Sequence, residues 1–287
     1  MKRAIVRYSL AVVSGLVVGS GVFAQTAQLE FPAPSPACTL KQRIGLTDIE
    51  IVYFRPGAKG RQIFGGLVSY GEVWRTGANQ ATTITFSTPV RLNGADVPAG
   101  KYALFTIPGE NEWTVILNKN ASQFGAFQYD PKADLVRFKA TPVKLAERVE
   151  TFTIEFNDIR DDSAQLDLIW EHTVVPVKFE VDLTSRLLPQ IEAAMAAPGD
   201  KKPYYQAAMF YYDHGQDLHK ASQWIDAAIA QRETYYIVHL KAEILAKLGD
   251  KAGAIAAAKR SSELAVKAEG PKSGYVKMND DLIATLQ

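Results

Sequence analysis

A single cysteine, Cys38, stands in the 287 residues. One thiol makes neither an internal disulfide nor a cysteine-rich zinc site. Histidine is scarce as well, with four in all and none before His172. A histidine-assisted nucleophile in the first half would therefore have to borrow its base from far along the chain. No Gly-x-Ser-x-Gly elbow occurs. The stretch Gly57-Ala58-Lys59-Gly60-Arg61 lacks the Gly-Lys-Ser/Thr ending of a phosphate loop. Charge of one sign is missing too. The 32 basic and 31 acidic side chains leave a net +1, which is no footprint for nucleic acid. Beyond the N-terminus there is no apolar run of ~18 residues, so a soluble chain with no transmembrane segment is expected. These absences leave no catalytic residue, cofactor or metal to assign. They favour a binding role over an enzymatic one.

What is present is ordinary globular material, 47% hydrophobic and 22% charged. At ~100–200 residues per domain, the length suits about two domains. Residues 1–24 join Lys2, Arg3 and Arg7 to an apolar run, Tyr8 to Val18, and end in Val22-Phe23-Ala24 before Gln25. That pattern is a signal peptide, and it places the chain in the periplasm or outside the cell. Cleavage removes three basic and no acidic side chains, so the net charge passes from +1 to −2. In an oxidising compartment Cys38 is either buried or paired with another chain.

A Pro-rich lead (residues 25–35) precedes a region of alternating runs, 36–182. Ile49, Ile51 and Tyr53 form one such series; Thr82, Ile84 and Phe86 another; Phe152, Ile154 and Phe156 a third. Leu166, Leu168 and Trp170, and later Val177, Phe179 and Val181, continue it. Period two with one apolar face predicts half-buried antiparallel strands. Tyr102–Ile107 and Trp113–Leu117 are apolar on both faces and are expected at the centre. Asn93-Gly94 is a hairpin signal. Short strands separated by frequent turns predict an antiparallel β-sandwich, or a barrel-like closure of the same strands.

Longer motifs in this region are distinctive. They include Tyr53-Phe54-Arg55-Pro56-Gly57, Ile63-Phe64-Gly65-Gly66-Leu67-Val68 and Val73-Trp74-Arg75-Thr76-Gly77-Ala78-Asn79. Pro98-Ala99-Gly100-Lys101-Tyr102-Ala103-Leu104-Phe105 and Trp113-Thr114-Val115-Ile116-Leu117-Asn118 follow. Over about residues 32–182 the chain resembles the secreted family called domain of unknown function 2911. The resemblance implies an extracytoplasmic β domain with no established reaction, and it supplies no catalytic residue.

Residues 183–287 are alanine-dense and lose the alternation. Tyr204, Ala208 and Tyr211 precede Gly215, then Ala221, Ile225 and Ala228; Val238, Ala242 and Leu245 precede Gly249, then Ala254, Ala258 and Ser261. The two glycines lie 34 residues apart, and the pattern resembles tetratricopeptide repeats. Helices at 186–197 and 280–287 are expected as caps, the first starting late or kinking at Pro189.

Two candidate sites follow. Arg55, Arg61, Trp74, Arg75 and Asn79 crowd a loop region with little alternation. An arginine fork and an aromatic face would bind an acidic glycan or a peptide carboxylate. The same residues would also serve to tie down loop backbone and fill the core. In the tail, Tyr204, Tyr205, Tyr211, Tyr212, Tyr235 and Tyr236 come as three adjacent pairs. Neighbours on a helix point ~100° apart, so one of each pair would pack while the other faces a protein or peptide partner. His214 and His219 with Asp213 and Asp217 read as a solvated turn. Asn157, Asp158, Asp161 and Asp162 read as a solvated hairpin tip without calcium-loop spacing.

Overall fold

A computed structural model describes residues 31–199 and 201–287. The candidate signal peptide and residues 25–30 of the lead lie outside the described residues. Ten strands come first: β1 (Ala37–Ile44), β2 (Thr47–Phe54), β3 (Thr82–Phe86), β4 (Val90–Leu92), β5 (Ala95–Val97), β6 (Gly100–Ile107), β7 (Trp113–Asn118), β8 (Asp134–Ala140), β9 (Val143–Asn157) and β10 (Ser163–Glu180). All pairings are antiparallel. A six-stranded sheet runs β1-β2-β3-β6-β7-β8 and a four-stranded sheet runs β5-β4-β10-β9. The barrel-like alternative is not realised, because β1, β8, β5 and β9 remain sheet edges.

The alternating positions become the inner faces. Ile49, Ile51 and Tyr53 from β2 meet Phe152 and Ile154 from β9 and Leu166, Leu168 and Trp170 from β10 in one core. At its centre Trp74 stacks on Trp170, ring centroids 5.9 Å apart, and Trp113 meets Phe64 edge-on at 4.9 Å. The doubly apolar β6 and β7 are interior strands with a second, smaller core on their outer side, formed by Ala81, Ala103, Phe105 and Ile116. Asn93 and Gly94 take φ of 45° and 82°, the geometry a two-residue hairpin turn between β4 and β5 requires.

The two runs expected at 165–170 and 177–182 are one strand, β10. It pairs with β9 up to Val174 and with β4 from Phe179, so Pro176 falls where neither ladder asks for its missing N–H. Register shifts between Ile169 and Glu171 and again before Thr173 bend it.

Six helices follow: α1 (Leu183–Ala196), α2 (Tyr204–Asp213), α3 (Leu218–Gln231), α4 (Tyr235–Lys247), α5 (Lys251–Glu269) and α6 (Gly274–Leu286). Asp182, Asp217 and Asp250 cap α1, α3 and α5 by accepting from backbone N–H groups of the first turn. α1 starts at Leu183, ahead of Pro189 and not late, because the Asp182 cap opens it. From α2 onward each helix packs on the next, and α4 also touches α2 and α6. Ala208, Ala221, Ala242, Ala254 and Ala258 are fully buried where these helices approach.

Strands and helices share one compact unit, Ser35–Gln287. Leu183 joins the helical core, with Leu46 and Val181 of the strand region packed against it. At this junction Gly45 has φ +55°, and a Cβ there would stand 2.7 Å from the Asp161 carbonyl oxygen. The two predicted solvated turns meet here: His214 Nε2 lies 2.8 Å from Asp161 Oδ2.

Candidate functional site

The loop candidates do not converge. Arg55 donates from Nε to the Phe152 carbonyl (3.1 Å) and from Nη2 to Thr153 Oγ1 (2.7 Å), which clamps β9. Arg61 folds back on its own turn, donating to the Ala58 and Gly57 carbonyls. Trp74 lies in the core, with its indole N–H donating to the Gly77 carbonyl at 3.1 Å. Its backbone forms a one-residue bridge with Thr106. Alternation across that bridge sends Trp74 inward and leaves Val73 with the outer core.

Arg75 and Asn79 stay together on that outer side, against a segment the sequence pattern did not single out, residues 123–129. The Asn79 carbonyl accepts from Gly125 N–H, and the Gln123 carbonyl accepts from Ala81 N–H. A Cβ on Gly125 would touch both the Phe127 ring and Arg75 Nη1. Phe124 and Phe127 are exposed, Phe127 at 84%. Below them Tyr129 packs on Phe105 and donates to Asp134, which also receives Arg137. Burial, and then the Asp134 carboxylate, push the Tyr129 hydroxyl up to about 12. The exposed phenylalanines carried no periodic signal; only the aromatic content of a Gly-containing loop would have found them.

Only one of the three tyrosine pairs divides, Tyr211 being buried and Tyr212 half-buried; both members of Tyr204/Tyr205 and of Tyr235/Tyr236 are half-buried. Tyr211 is buried against Trp224, ring centroids 4.7 Å apart, and bonds Glu192 of α1. Tyr205 and Tyr212 turn toward α4. Tyr205 meets Tyr236 edge-on at 5.4 Å, Tyr236 meets Tyr235 at 5.5 Å, and Tyr235 meets Tyr275 of α6 at 4.8 Å. Lys247 Nζ sits 3.6 Å over the Tyr212 ring. Tyr204 is half-buried at the edge of the helical core. Tyr275 was missed because α6 was expected to begin only at residue 280. Beneath this row His239 Nδ1 lies 2.7 Å from Asn279 Oδ1, and Asn279 Nδ2 donates to Ser261 Oγ. Glu243 stands on the same face, 3.8 Å from His239 Nε2, and burial raises its carboxyl above the usual range.

An apolar groove of about 510 Å³ runs between α1 and α2, walled by Leu187, Ile191, Met209 and Phe210. Asp161, Asp213 and His214 close one end. A wider cleft of about 750 Å³ beside β4 and β5 holds charges that already pair, Arg91 with Asp96 and Lys178 with Glu180. Among the described residues no three His, Cys, Asp or Glu side chains gather as a metal site. No described helix is long and apolar enough to cross a membrane. Cys38 is a free thiol, half-buried on the edge strand β1.

Fold and surfaces together define a two-sheet antiparallel β domain followed by six helices, with aromatic rings displayed on both parts. The family model for "Protein of unknown function (DUF2911)" matches residues 35–179, half of the chain, and the chain belongs to that family. No curated protein and no solved structure matches it.

Proposed function

We propose that this is an exported binding protein whose helical part captures a protein or peptide segment. The observation that carries this reading is the unbroken row of half-buried rings across three alternate helices, Tyr205 on α2, Tyr235 and Tyr236 on α4 and Tyr275 on α6. Tyrosines offer large, rigid contact area at low entropic cost, with a polar tip for hydrogen bonds. The 34-residue spacing of Gly215 and Gly249 and the neighbour-on-neighbour packing support a tetratricopeptide-like reading of α2–α5. Stacked hairpins of that kind offer a concave surface to extended segments. Export rests on the basic, apolar and small-residue pattern of residues 1–24.

The test is selection from a random peptide library on the whole chain, with Tyr205→Ser/Tyr236→Ser as the comparison. Recovered peptides are expected to bind the unmodified chain at least tenfold more tightly than a variant that keeps its helical circular dichroism. Failure to enrich any sequence, or equal binding by the variant, refutes the reading. Cell fractionation tests export separately.

A further inference from the structure

Among the described residues four buried side-chain atoms lack a hydrogen-bond partner, and two of them, Arg75 Nε and Gln123 Oε1, belong to one pair of loops on the sandwich. Arg75 is the more telling. The guanidinium is half-buried, and no carboxylate, carbonyl, hydroxyl or ring pairs with it. Arg55, the other arginine of the strand region that is not exposed, has partners in Phe152 and Thr153. Stripping water from a cation without giving it a partner is costly, and an unsatisfied buried group of this kind calls for an explanation. Only Nε is sealed, so the two terminal nitrogens remain open to an incoming anion.

The surroundings narrow the anion. Nη1 lies against Gly125, beside the almost fully exposed Phe127 ring. Asn79 and Gln80 are exposed on the adjoining strand of loop, their backbones paired with Gly125 and Phe124 and their side-chain amides unengaged. A bare anion would use the guanidinium alone. A planar acid without hydroxyls would leave the amides idle. A sugar ring bearing a carboxylate uses all three features: the fork for the carboxylate, the ring face for its C–H groups, and the amides for its hydroxyls.

We propose that this outer face of the six-stranded sheet is a binding site for a uronic acid residue of an acidic glycan. The Arg75 guanidinium receives the carboxylate, Phe127 stacks on the sugar, and Asn79 and Gln80 bond the hydroxyls. The proposal concerns the sandwich and stands apart from the peptide reading of the helices.

The experiment is isothermal titration calorimetry of the whole chain at low salt. The probes are a short galacturonate oligomer, its methyl-esterified form and sodium sulfate. The acid is expected to bind saturably, and the ester, which keeps the ring and loses the charge, at least tenfold more weakly. Arg75→Gln is expected to lower acid binding to the level of the ester, and Phe127→Ala to weaken both. Because Arg75→Gln removes an unpaired cation, its melting temperature is expected to equal or exceed that of the unmodified chain. Equal binding of acid and ester, unchanged binding in Arg75→Gln, or no saturable binding overturns the site. Sulfate as tight as the oligomer overturns the sugar and leaves an anion site only. A lower melting temperature for Arg75→Gln shows the guanidinium to be structural and overturns the proposal.

Discussion

The strand region and the helical region solve burial in opposite ways. The sandwich seals large rings inside: Trp74, Trp113 and Trp170 meet Phe64 and Phe152 between two sheets. The helices bring small residues to their seams, as Ala208 and Ala242 show, and leave many of their rings half-exposed in a row. Polar chemistry differs as well. In the helical part a buried chain of His239, Asn279 and Ser261 is fully satisfied, ending on the Tyr235 carbonyl. In the sandwich the notable polar group, Arg75, is left unpaired near the surface. The helices keep orphans too, the Thr234 and Ser262 hydroxyls, so the difference is one of kind: the sandwich leaves a cation unpaired, the helices only neutral hydroxyls.

The strongest way to break this comparison is to empty the aromatic core. Trp170→Ala is expected to cost about 3–5 kcal/mol, through lost burial and the cavity left behind. Urea titration read by near-ultraviolet circular dichroism measures it. A loss below ~1 kcal/mol would show that the stacked rings are not what holds the sandwich.

A smaller effect probes the satisfied polar chain. Asn279→Ala orphans a ring nitrogen of His239 and strips the Ser261 oxygen of its donor, leaving that hydroxyl only its bond to the Tyr235 carbonyl, and is expected to cost about 1–3 kcal/mol. Ellipticity at the helical band during unfolding reports it. A neutral result would mean that water enters and replaces the amide.

The smallest effect is a slope. Burial raises the Glu243 carboxyl, opposed by His239 and Lys247 and reinforced by Asp213. A proton held more tightly in the folded chain stabilises it fully below the unfolded carboxylate range. That stability is lost as pH rises through the raised folded value. The melting temperature should therefore fall as pH rises above the unfolded carboxyl value of about 4.3, and Glu243→Gln should flatten the fall. Parallel curves for the two proteins would show that Glu243 does not couple to folding.

Legibility in the sequence follows the same division. Strands with one strongly apolar face, such as β2 and β3, were plain from alternation. β1 was not, because its side chains from Ala37 to Arg43 are alternately exposed and only half-buried on a sheet edge. β10 read as two runs, because its register shifts interrupt the period. The helical seams were legible from alanine and glycine spacing alone. At the candidate site, residue type identified the loop but could not say which way each side chain faces. Arg55 and Arg61 turned to backbone carbonyls, Trp74 turned inward, and only Arg75 and Asn79 remained on one surface. Phe124 and Phe127 reach that surface through a fold-back of the chain, which no local pattern encodes.

The partners of β10 have a kinetic consequence. Its ladder with β9 is a hairpin that forms from neighbouring residues, but Phe179 and Glu180 must find Leu92 and Arg91. During synthesis from the N-terminus, the four-stranded sheet therefore waits until nearly two thirds of the chain has emerged. From α2 to α5 each helix, by contrast, finds a partner in the next one made. Nonlocal closure is slow and local packing fast. The sandwich spends that interval with Trp74 and Trp113 uncovered, and the late-arriving β10, which brings Trp170, is the step that ends the exposure.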